Sequence, residues 1–257
     1  MTAINARRLF VEQYGRIRAA EGRGSEDADY YRSLPFVAPG SPLADQWAIR
    51  ARTYRYFVKH LLPSQPARVL DLGAGTGWLS NRLTELGHCA TALDIFRDDR
   101  DGLLAGQHFT RPVPAVEAEF DTLPFAPNSF DLAVFNASFH YSADYTRTLE
   151  EVRRVLSPGG RVVILDSPVY REPEHGERMR SERQQFFERA YGFRSEALRS
   201  IEFLDQQTIA SLARELNLRW TVHRPWYGLA WHLRPLRAKL RGRRPPSQFW
   251  VLEGQFA

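Results

Sequence analysis

Cysteine is nearly absent from this sequence, because Cys89 is the only one among 257 residues. A single cysteine excludes an internal disulfide, and no group of cysteine and histidine residues has the spacing of metal ligands. We therefore predict no metal site of that kind. Cys89 itself is interpreted as a buried structural thiol.

Long apolar runs are also missing. No stretch approaches the roughly 18 apolar residues of a membrane span, and the first residues, MTAINARRLFVEQYG, lack the apolar core of a signal peptide. We therefore expect a cytoplasmic location. The length allows one large domain, or one domain with an added lid.

Acidic residues are missing from one part of the chain. Between Asn217 and Leu252 there are eight arginine and lysine residues and no aspartate or glutamate. Because the net charge of the whole chain is +5, the remainder carries −3. This pattern does not imply a diffuse surface for nucleic acid, and no DNA partner is expected; it indicates one basic segment.

The first 65 residues are rich in arginine, tyrosine and proline. Within them, the stretch 47–62 (WAIRARTYRYFVKHLL) has the apolar spacing of a helix, and PSQP ends it. We interpret residues 1–65 as an N-terminal helical cap or lid, and residues 66–257 as the main domain.

From Arg68 onward, short apolar runs alternate with helical segments, which predicts βαβ units, a parallel sheet and an α/β fold. Two later runs, LRWTVHRPW and SQFWVLEG, extend the sheet to seven strands, with the last strand antiparallel. We expect a helical insertion at about 171–216 and a basic insertion at about 226–247. The predicted strands are 68–72, 90–95, 114–119, 130–136 and 160–166, and the predicted helices are 77–87, 99–105 and 145–156.

Glycine occupies alternate positions in VLDLGAGTGWLS, residues 69–80, directly after the first predicted strand. Gly73, Gly75 and Gly77 permit positive φ and let a ligand approach the backbone at a helix N-terminus. The dinucleotide fingerprint G-x-G-x-x-G requires glycine at position 78, where this chain has Trp78. The turn therefore predicts a nucleotide-like ligand, but it does not match the fingerprint for a dinucleotide.

Two acids flank this turn in the chain. Asp71 precedes the glycines, where it would disfavour a pyrophosphate and favour a ligand with an ammonium and a sulfonium group. Asp94 ends the second predicted strand about 20 residues later, where a carboxylate can accept both hydroxyls of a ribose. The ribose contact alone does not distinguish such a ligand from NAD.

Four stretches together resemble the class I S-adenosylmethionine-dependent methyltransferases, especially the branch similar to ubiquinone and menaquinone biosynthetic methyltransferases. They are DLGAGTG (71–77), Asp94, AEFDTLPFAPNSFDLAVFNASFHY (118–141) and EEVRRVLSPGGRVVILDSP (150–168). The resemblance covers about residues 68–168. It implies a Rossmann-like fold with helices on both faces of a mostly parallel sheet, and S-adenosylmethionine as the cofactor.

The resemblance also implies roles for residues. The glycine turn would pass under the methionine part of the cofactor, Asp94 would hold the ribose, Ile95 would pack on the adenine and Glu119 would bond the adenine amino group. Asn136 and Ala137 would face the methionine end, with Ser138 and His140 nearer the methyl acceptor. The remaining positions assigned to the cofactor are Asp71, Ala74, Trp78 and Phe120.

Aromatic and basic residues of the first 65 form a candidate lid: Tyr30, Tyr31, Trp47, Arg50 and Tyr54. Their rings, Tyr31 among them, could cover a sulfonium by cation–π contact, and Arg50 could pair with the carboxylate of the cofactor. Packing within a helical core explains Trp47 and Tyr54 equally well.

His140 and Tyr141 are the candidate catalytic residues. A histidine with an ordinary pKa near 6.5 could take a proton from the acceptor, and Tyr141 could orient a substrate oxygen. A structural histidine is an open alternative. Methyl transfer is an in-line displacement that can be accelerated by positioning alone.

We therefore expect methyl transfer to a small organic acceptor. The stretch Phe135-Asn136-Ala137-Ser138 differs from the Asn/Asp-Pro-Pro-Tyr of similar enzymes that act on planar nitrogens, which favours an O-, C- or amine N-acceptor. No set for a catechol-type magnesium site is present, so no metal is expected. Two alternatives stay open: an enzyme that retains the cofactor without methyl transfer, and a non-catalytic cofactor-binding or RNA-binding regulatory protein.

The basic residues near the end of the chain also have two interpretations. They could form a solvated helix face, or they could contact an acidic substrate or an anionic membrane surface. They are Arg234, Arg237, Lys239, Arg241, Arg243 and Arg244.

Overall fold

The computed structural model describes residues 3–41, 43–194 and 197–257. Its strands are β1 (Arg68–Leu72), β2 (Cys89–Asp94), β3 (Ala115–Glu117), β4 (Phe130–Asn136), β5 (Leu156–Leu165), β6 (Val169–Tyr170), β7 (Leu204–Asp205), β8 (Leu218–His223) and β9 (Val251–Phe256).

The main sheet has seven strands in the order β3-β2-β1-β4-β5-β9-β8, and β6 pairs with β7 in a separate small sheet. The five strands from β3 to β5 are mutually parallel, and β9 is antiparallel to both β5 and β8. The predicted mostly parallel seven-stranded sheet with an antiparallel last strand is confirmed.

The helices are α1 (Ala3–Ala20), α2 (Ala28–Ser33), α3 (Ala44–His60), α4 (Trp78–Glu85), α5 (Tyr145–Val155), α6 (Pro173–Tyr191), α7 (Gln206–Glu215), α8 (Leu229–His232) and α9 (Arg234–Leu240). The helix predicted at 99–105 is wrong, since this region instead holds a 3₁₀ helix at Leu103–His108. The carboxylate of Asp98 accepts the backbone N–H groups of Arg100 and Asp101, both at 2.8 Å. This local turn competes with an α-helix.

Side chains that alternate in direction along the central strands form two hydrophobic cores, one on each face of the sheet. In β4, Ala133 and Phe135 pack with α5 and α7, whereas Leu132 and Val134 pack with α3 and α4. Successive side chains of a strand point to opposite faces, and both faces of this sheet are covered by helices. The central strands are therefore buried on both faces of the sheet.

The N-terminal helices pack on the α4 face, where Tyr31, Trp47 and Phe57 are buried. Helices α6 and α7 lie within the predicted insertion at 171–216, and the β6–β7 pairing joins the residues just before that insertion to the two residues that precede α7. The division into a cap and a main domain stays an interpretation.

Cys89 is exposed, so the expectation of a buried thiol is wrong. It is the first residue of β2, two positions after the exposed turn at Gly87, and the strand becomes buried only at Ala90. Among the described residues, no helix has both the length and the apolar character to cross a membrane.

Candidate functional site

A cavity of about 400 Å³ lies at the carboxyl ends of β1, β2, β4 and β5. Each strand brings a residue that follows or ends it, namely Gly73, Asp94, Asn136 and Asp166, while α1 and α3 close the other side. Strand order reverses between β1 and β4, and ligands bind at such a switch point in open α/β sheets. The volume is within the usual range for small-molecule sites.

The glycine turn, residues 73–77, forms the floor of the cavity. Gly73 and Ala74 donate backbone N–H bonds to the carbonyl of Leu93, at 2.7 and 3.0 Å, which ties the turn to β2. Gly73 has φ +72°, and a Cβ there would overlap the Cβ of Ser138. Only glycine therefore lets the end of β4 lie against this turn.

Gly77 has a different place from the other two glycines. It is the N-cap of α4 with φ +77°, and it is not among the residues that line the cavity. The structure therefore assigns it to the turn from strand to helix, not to contact with a ligand.

Trp78 lines the cavity and is otherwise buried. Its ring lies edge-on to those of Trp47, with centroids 5.9 Å apart, and Tyr54, at 5.7 Å. Both partners belong to α3. The unusual tryptophan thus joins the glycine turn to the N-terminal helices.

Asp71 does not line the cavity, contrary to the predicted contact with the cofactor. Its side chain is fully buried behind the turn, where one carboxylate oxygen accepts the Ser80 hydroxyl at 2.8 Å and the other has no hydrogen-bond partner among the described residues. Burial raises the pKa of Asp71 to about 7, although the Ser80 hydrogen bond opposes the shift. Val69 and Asp71 lie on the same face of β1, where Val69 packs among residues of α3 and α4, so strand alternation directs Asp71 toward Ser80 of α4.

Asp94 and Ile95 line the cavity at the end of β2. The Asp94 carboxylate accepts the N–H of Gly75 through one oxygen and the N–H of Phe96 through the other, both at 2.8 Å. Burial raises the pKa of Asp94, and these bonds oppose the shift. Each oxygen keeps a lone pair for a further donor, such as a hydroxyl.

Glu119 and Phe120 also line the cavity, as the sequence predicts. The Phe120 ring lies edge-on to that of Phe135, with centroids 5.5 Å apart. Asp121 lines the cavity too, and its carboxylate lies 3.6 Å from the Arg147 guanidinium. The structure thus brings both acids to the same wall.

Two of the predicted lid residues reach the cavity, Trp47 and Arg50. The Arg50 guanidinium lies over the Trp47 ring at 5.1 Å, and in the described part of the chain it has neither a hydrogen bond nor an ion pair. Burial lowers the pKa of Arg50, and Asp166 opposes that shift. An unpaired cation in this position favours an anionic ligand group.

Tyr31, by contrast, does not line the cavity. Its ring is fully buried and stacks on His108 at 4.4 Å, and its hydroxyl donates to the carbonyl oxygens of Ser25 and Arg100. It anchors α2 to the segment that follows β2, so the structure does not bring it to the predicted ligand contact.

Helix α1 contributes lining residues that the sequence did not predict. Tyr14 and Arg18 face the cavity, and the Arg18 guanidinium pairs with the carboxylate of Asp101. The Tyr14 ring lies edge-on to Tyr141, with centroids 6.0 Å apart. The pair and the ring contact attach α1 to the rim of the site.

His140 and Tyr141 lie in a short 3₁₀ helix at the end of β4 and line the cavity. The His140 Nδ1 atom is 3.3 Å from the Ser167 hydroxyl oxygen. Burial lowers the pKa of His140 to about 3, helped by the charges of Arg183 and Arg50. The imidazole is therefore neutral at physiological pH and a much weaker base than an ordinary histidine.

Asp166 follows β5 and is a further residue that sequence reasoning missed. It is 5% exposed, lines the cavity and adopts φ +50°. One carboxylate oxygen accepts the Thr53 hydroxyl at 2.6 Å, while the other has no hydrogen-bond partner in the part of the chain that the structure describes. The Thr53 oxygen also lies 3.0 Å from the Tyr227 hydroxyl, which donates to the carbonyl of Phe249.

A buried acceptor without a hydrogen bond destabilises the folded protein, so a ligand that donates a hydrogen bond to the free oxygen of Asp166 would bind favourably there. Burial raises the pKa of Asp166, and the Thr53 hydroxyl and the charge of Arg50 oppose the shift. The only sequence signal was its position at the carboxyl end of a parallel strand; its partners come from distant segments.

The segment that supplies three of the four strand ends at this cavity, those of β1, β2 and β4, matches a known family. Residues 70–164 match the family model described as "Methyltransferase domain". A malonyl-[acyl-carrier protein] O-methyltransferase of Erwinia pyrifoliae is 36% identical over 107 residues, 42% of this chain and 40% of that protein. A demethylmenaquinone methyltransferase of Corynebacterium kroppenstedtii is 38% identical over 109 residues, 42% of this chain and 45% of that protein. The matched segments span less than half of these relatives.

Solved structures share the fold across most of the chain. The PH0226 protein of Pyrococcus horikoshii has a TM-score of 0.59 at 18% identity, covering 89% of this chain and 99% of that one. A Burkholderia thailandensis 1,6-didemethyltoxoflavin-N1-methyltransferase, solved with its substrate and S-adenosylhomocysteine, has a TM-score of 0.53 at 20% identity, covering 94% and 90%.

Proposed function

We propose that this chain, whose residues 70–164 match the family model described as "Methyltransferase domain", is a class I S-adenosylmethionine-dependent methyltransferase that transfers a methyl group to a small organic acceptor. The observation that carries the proposal is one cavity that joins the glycine turn, Asp94 and the unpaired Arg50 at the switch point of the sheet. The predicted cofactor residues Asp71, Gly77 and Tyr31 are not part of it.

The residues of the cavity fit S-adenosylmethionine. Asp94 retains lone pairs for ribose hydroxyls, Ile95 offers an apolar surface for the adenine, and Glu119 offers a carboxylate for its amino group. Arg50 offers an unpaired guanidinium for the carboxylate. The bound cofactor supplies a methyl group made electrophilic by a positively charged sulfur.

The protein side of the reaction is mainly positioning. Backbone atoms at Gly73, Asn136 and Ala137 define one wall, and the rings of Trp47 and Trp78 help to exclude water from the other. Orientation of two reactants in a closed site can account for much of a displacement rate.

The acceptor side of the cavity, formed by His140, Tyr141, Asp166 and Phe249, holds the second reactant in this proposal. Asp166 accepts the hydrogen bond of the acceptor's hydroxyl or amine through its free oxygen, and Thr53 holds the carboxylate in place. Neutral His140 and Tyr141 orient the acceptor. A cation at Arg50 favours the ionised form of Asp166, which suits this role.

A cytoplasmic location and an acceptor associated with a lipid surface belong to the same proposal. The second part is supported by the basic residues between β8 and β9, whose neighbours Tyr227 and Phe249 reach the acceptor side.

Product analysis tests the proposed activity. The protein is incubated with methyl-labelled S-adenosylmethionine and a fractionated host metabolite extract, and the labelled product is identified. We expect label in a small molecule, with S-adenosylhomocysteine formed in equal amount. Consumption of a metabolite while the label stays in the cofactor would instead identify an enzyme that retains S-adenosylmethionine.

A further inference from the structure

Four large apolar side chains are exposed within fifteen residues between β8 and β9. Trp226 and Leu229 are each 66% exposed, Leu236 is 55% exposed and Leu240 is 78% exposed. Together with the predicted basic insertion they form what we call the basic segment, residues 226–247, which contains α8 and α9. Leu236 and Leu240 are four positions apart in α9 and therefore share one side of that helix, and Leu229 begins α8.

The cations of the basic segment divide into two groups. Arg234 and Arg244 are used internally: Arg234 donates to the carbonyl of Ser247 and lies over the Trp231 ring, and Arg244 pairs with Glu182 at 2.7 Å. The side chains of the other four are exposed and have no hydrogen bond or ion pair within the described parts of the chain. They are Arg237, Lys239, Arg241 and Arg243.

The basic segment is attached to the acceptor side of the cavity. The Trp231 ring contacts the rings of Tyr227, with centroids 5.0 Å apart, and Phe249, at 5.1 Å. Phe249 lines the cavity, and Tyr227 reaches Asp166 through Thr53. A partner bound to this segment would therefore lie next to the region proposed to receive the methyl acceptor.

Exposed leucines among unpaired cations fit the surface of an anionic bilayer. Amphipathic helices bind there through apolar side chains in the acyl region and basic side chains on the headgroups. A second copy of the chain would bring two cationic surfaces together. Single-stranded RNA would use the cations and stack on aromatic rings, but would leave the leucines exposed.

We infer that the basic segment docks the protein on an anionic lipid surface, with Trp226, Leu229, Leu236 and Leu240 inserted and the four free cations on the headgroups. The docking requires no methyl transfer. Its consequence, that the acceptor enters from the lipid, rests on the proposed function.

Sedimentation of the full chain with vesicles tests this inference. Vesicles of phosphatidylcholine alone are compared with vesicles that contain about one-third phosphatidylglycerol, at low and high salt. We expect binding to the anionic vesicles only, and weaker binding at high salt because surface charges are then screened.

Two pairs of matched variants locate the contact. Replacing three free cations by glutamine (Arg237→Gln, Lys239→Gln, Arg243→Gln) should weaken vesicle binding by at least about tenfold, since each cation near such a surface contributes roughly fivefold. The control removes three exposed charges elsewhere, by Arg111→Gln, Arg178→Gln and Arg214→Gln, and should bind as the parent does. Leu236→Asn with Leu240→Asn should weaken binding about tenfold, whereas Leu86→Asn with Leu104→Asn should not.

Binding of S-adenosylhomocysteine in every variant serves as the measure of intact folding. If a protein that binds S-adenosylhomocysteine ignores anionic vesicles, the inference is wrong while the proposed function stands. An equal loss of vesicle binding in the variants of the basic segment and in their controls would also overturn the inference. So would a protein that binds polyuridylate but no vesicles, if the cation variant no longer binds polyuridylate. Vesicle binding without methyl transfer would contradict only the proposed function.

Discussion

The glycine turn and the end of β2 are held by hydrogen bonds to each other, whereas the end of β5 presents a side chain held by distant segments. On the first side, Gly73 and Ala74 bond to Leu93, and Asp94 bonds to Gly75 and Phe96. On the second, Asp166 is held by Thr53 of α3, which in turn contacts Tyr227. One side is built locally around the glycine turn, and the other is assembled by the fold.

This difference predicts where substitutions act. Changes on the glycine-turn side should disturb the fold or the affinity for S-adenosylhomocysteine. Changes on the acceptor side should leave the affinity for S-adenosylhomocysteine unchanged. They should instead alter the pH dependence of stability or the binding of the methyl acceptor. Four predictions examine the contrast in order of decreasing expected effect.

Gly73→Ala should destabilise the protein most. The new Cβ would overlap Ser138, and the residue has φ +72°. We expect a loss of about 2–5 kcal/mol in the free energy of unfolding, measured by urea denaturation, from overpacking and the left-handed conformation together.

Gly87→Ala is the matched control, because Gly87 has φ +90° but no atom within 4 Å of a Cβ built there. It should cost only about 1–2 kcal/mol, the conformational part. Equal losses in the two variants would show that the close approach of Ser138 is not needed.

Asp94→Ala should weaken binding of S-adenosylhomocysteine by about 1.5–3 kcal/mol, the range for a lost hydrogen bond to a charged group. Asp98→Ala, a nearby carboxylate that accepts the N–H groups of Arg100 and Asp101 outside the cavity, is the control. Calorimetric titration measures both. An unchanged affinity in Asp94→Ala would place the ribose elsewhere.

Arg50→Gln should weaken the same binding by about 1.5 kcal/mol, because it removes a charge-assisted contact with the carboxylate. Arg52→Gln lies on the same helix with an exposed side chain and should bind as the parent does. If Arg50→Gln leaves this affinity intact, the Arg50 guanidinium does not bind the cofactor carboxylate and belongs to the acceptor side of the cavity.

His140→Gln should change the pH dependence of stability. A buried histidine with a folded pKa of about 3 stays neutral while the unfolded chain gains a proton below about 6.5. Its contribution is therefore fully present above pH 6.5 and is lost as the pH falls toward 3.

Between pH 6 and 5 the parent should lose about 1 kcal/mol more stability than His140→Gln. Urea denaturation of the two proteins at both pH values measures the difference. Parallel behaviour of His140→Gln and the parent would mean that the imidazole is not buried and neutral.

The contrast also explains how much could be read from the sequence. The seven-stranded sheet, the glycine turn, Asp94 and Asn136 depend on local spacing and strand alternation, and these were predicted. The match of residues 70–164 to the methyltransferase domain confirms the family resemblance over most of the segment that carried it.

Residues that depend on long-range packing were missed or misplaced. Arg18 pairs with Asp101, and Asp166 accepts a hydrogen bond from Thr53; each contact joins residues more than 80 positions apart in the chain. Tyr14 reaches the cavity through the packing of α1. Asp71 and Tyr31 have suitable side chains, but strand alternation and the packing of α2 turn them away. Residue type and spacing do not encode these orientations.

Titration with S-adenosylhomocysteine, and with NAD under the same conditions, tests the central claim most directly. The claim is that the cavity beneath α1 and α3 holds S-adenosylmethionine. Calorimetry should show S-adenosylhomocysteine binding with a Kd of micromolar order and about −8 kcal/mol, and no detectable heat with NAD. Tight binding of NAD, with none of S-adenosylhomocysteine, would contradict the account.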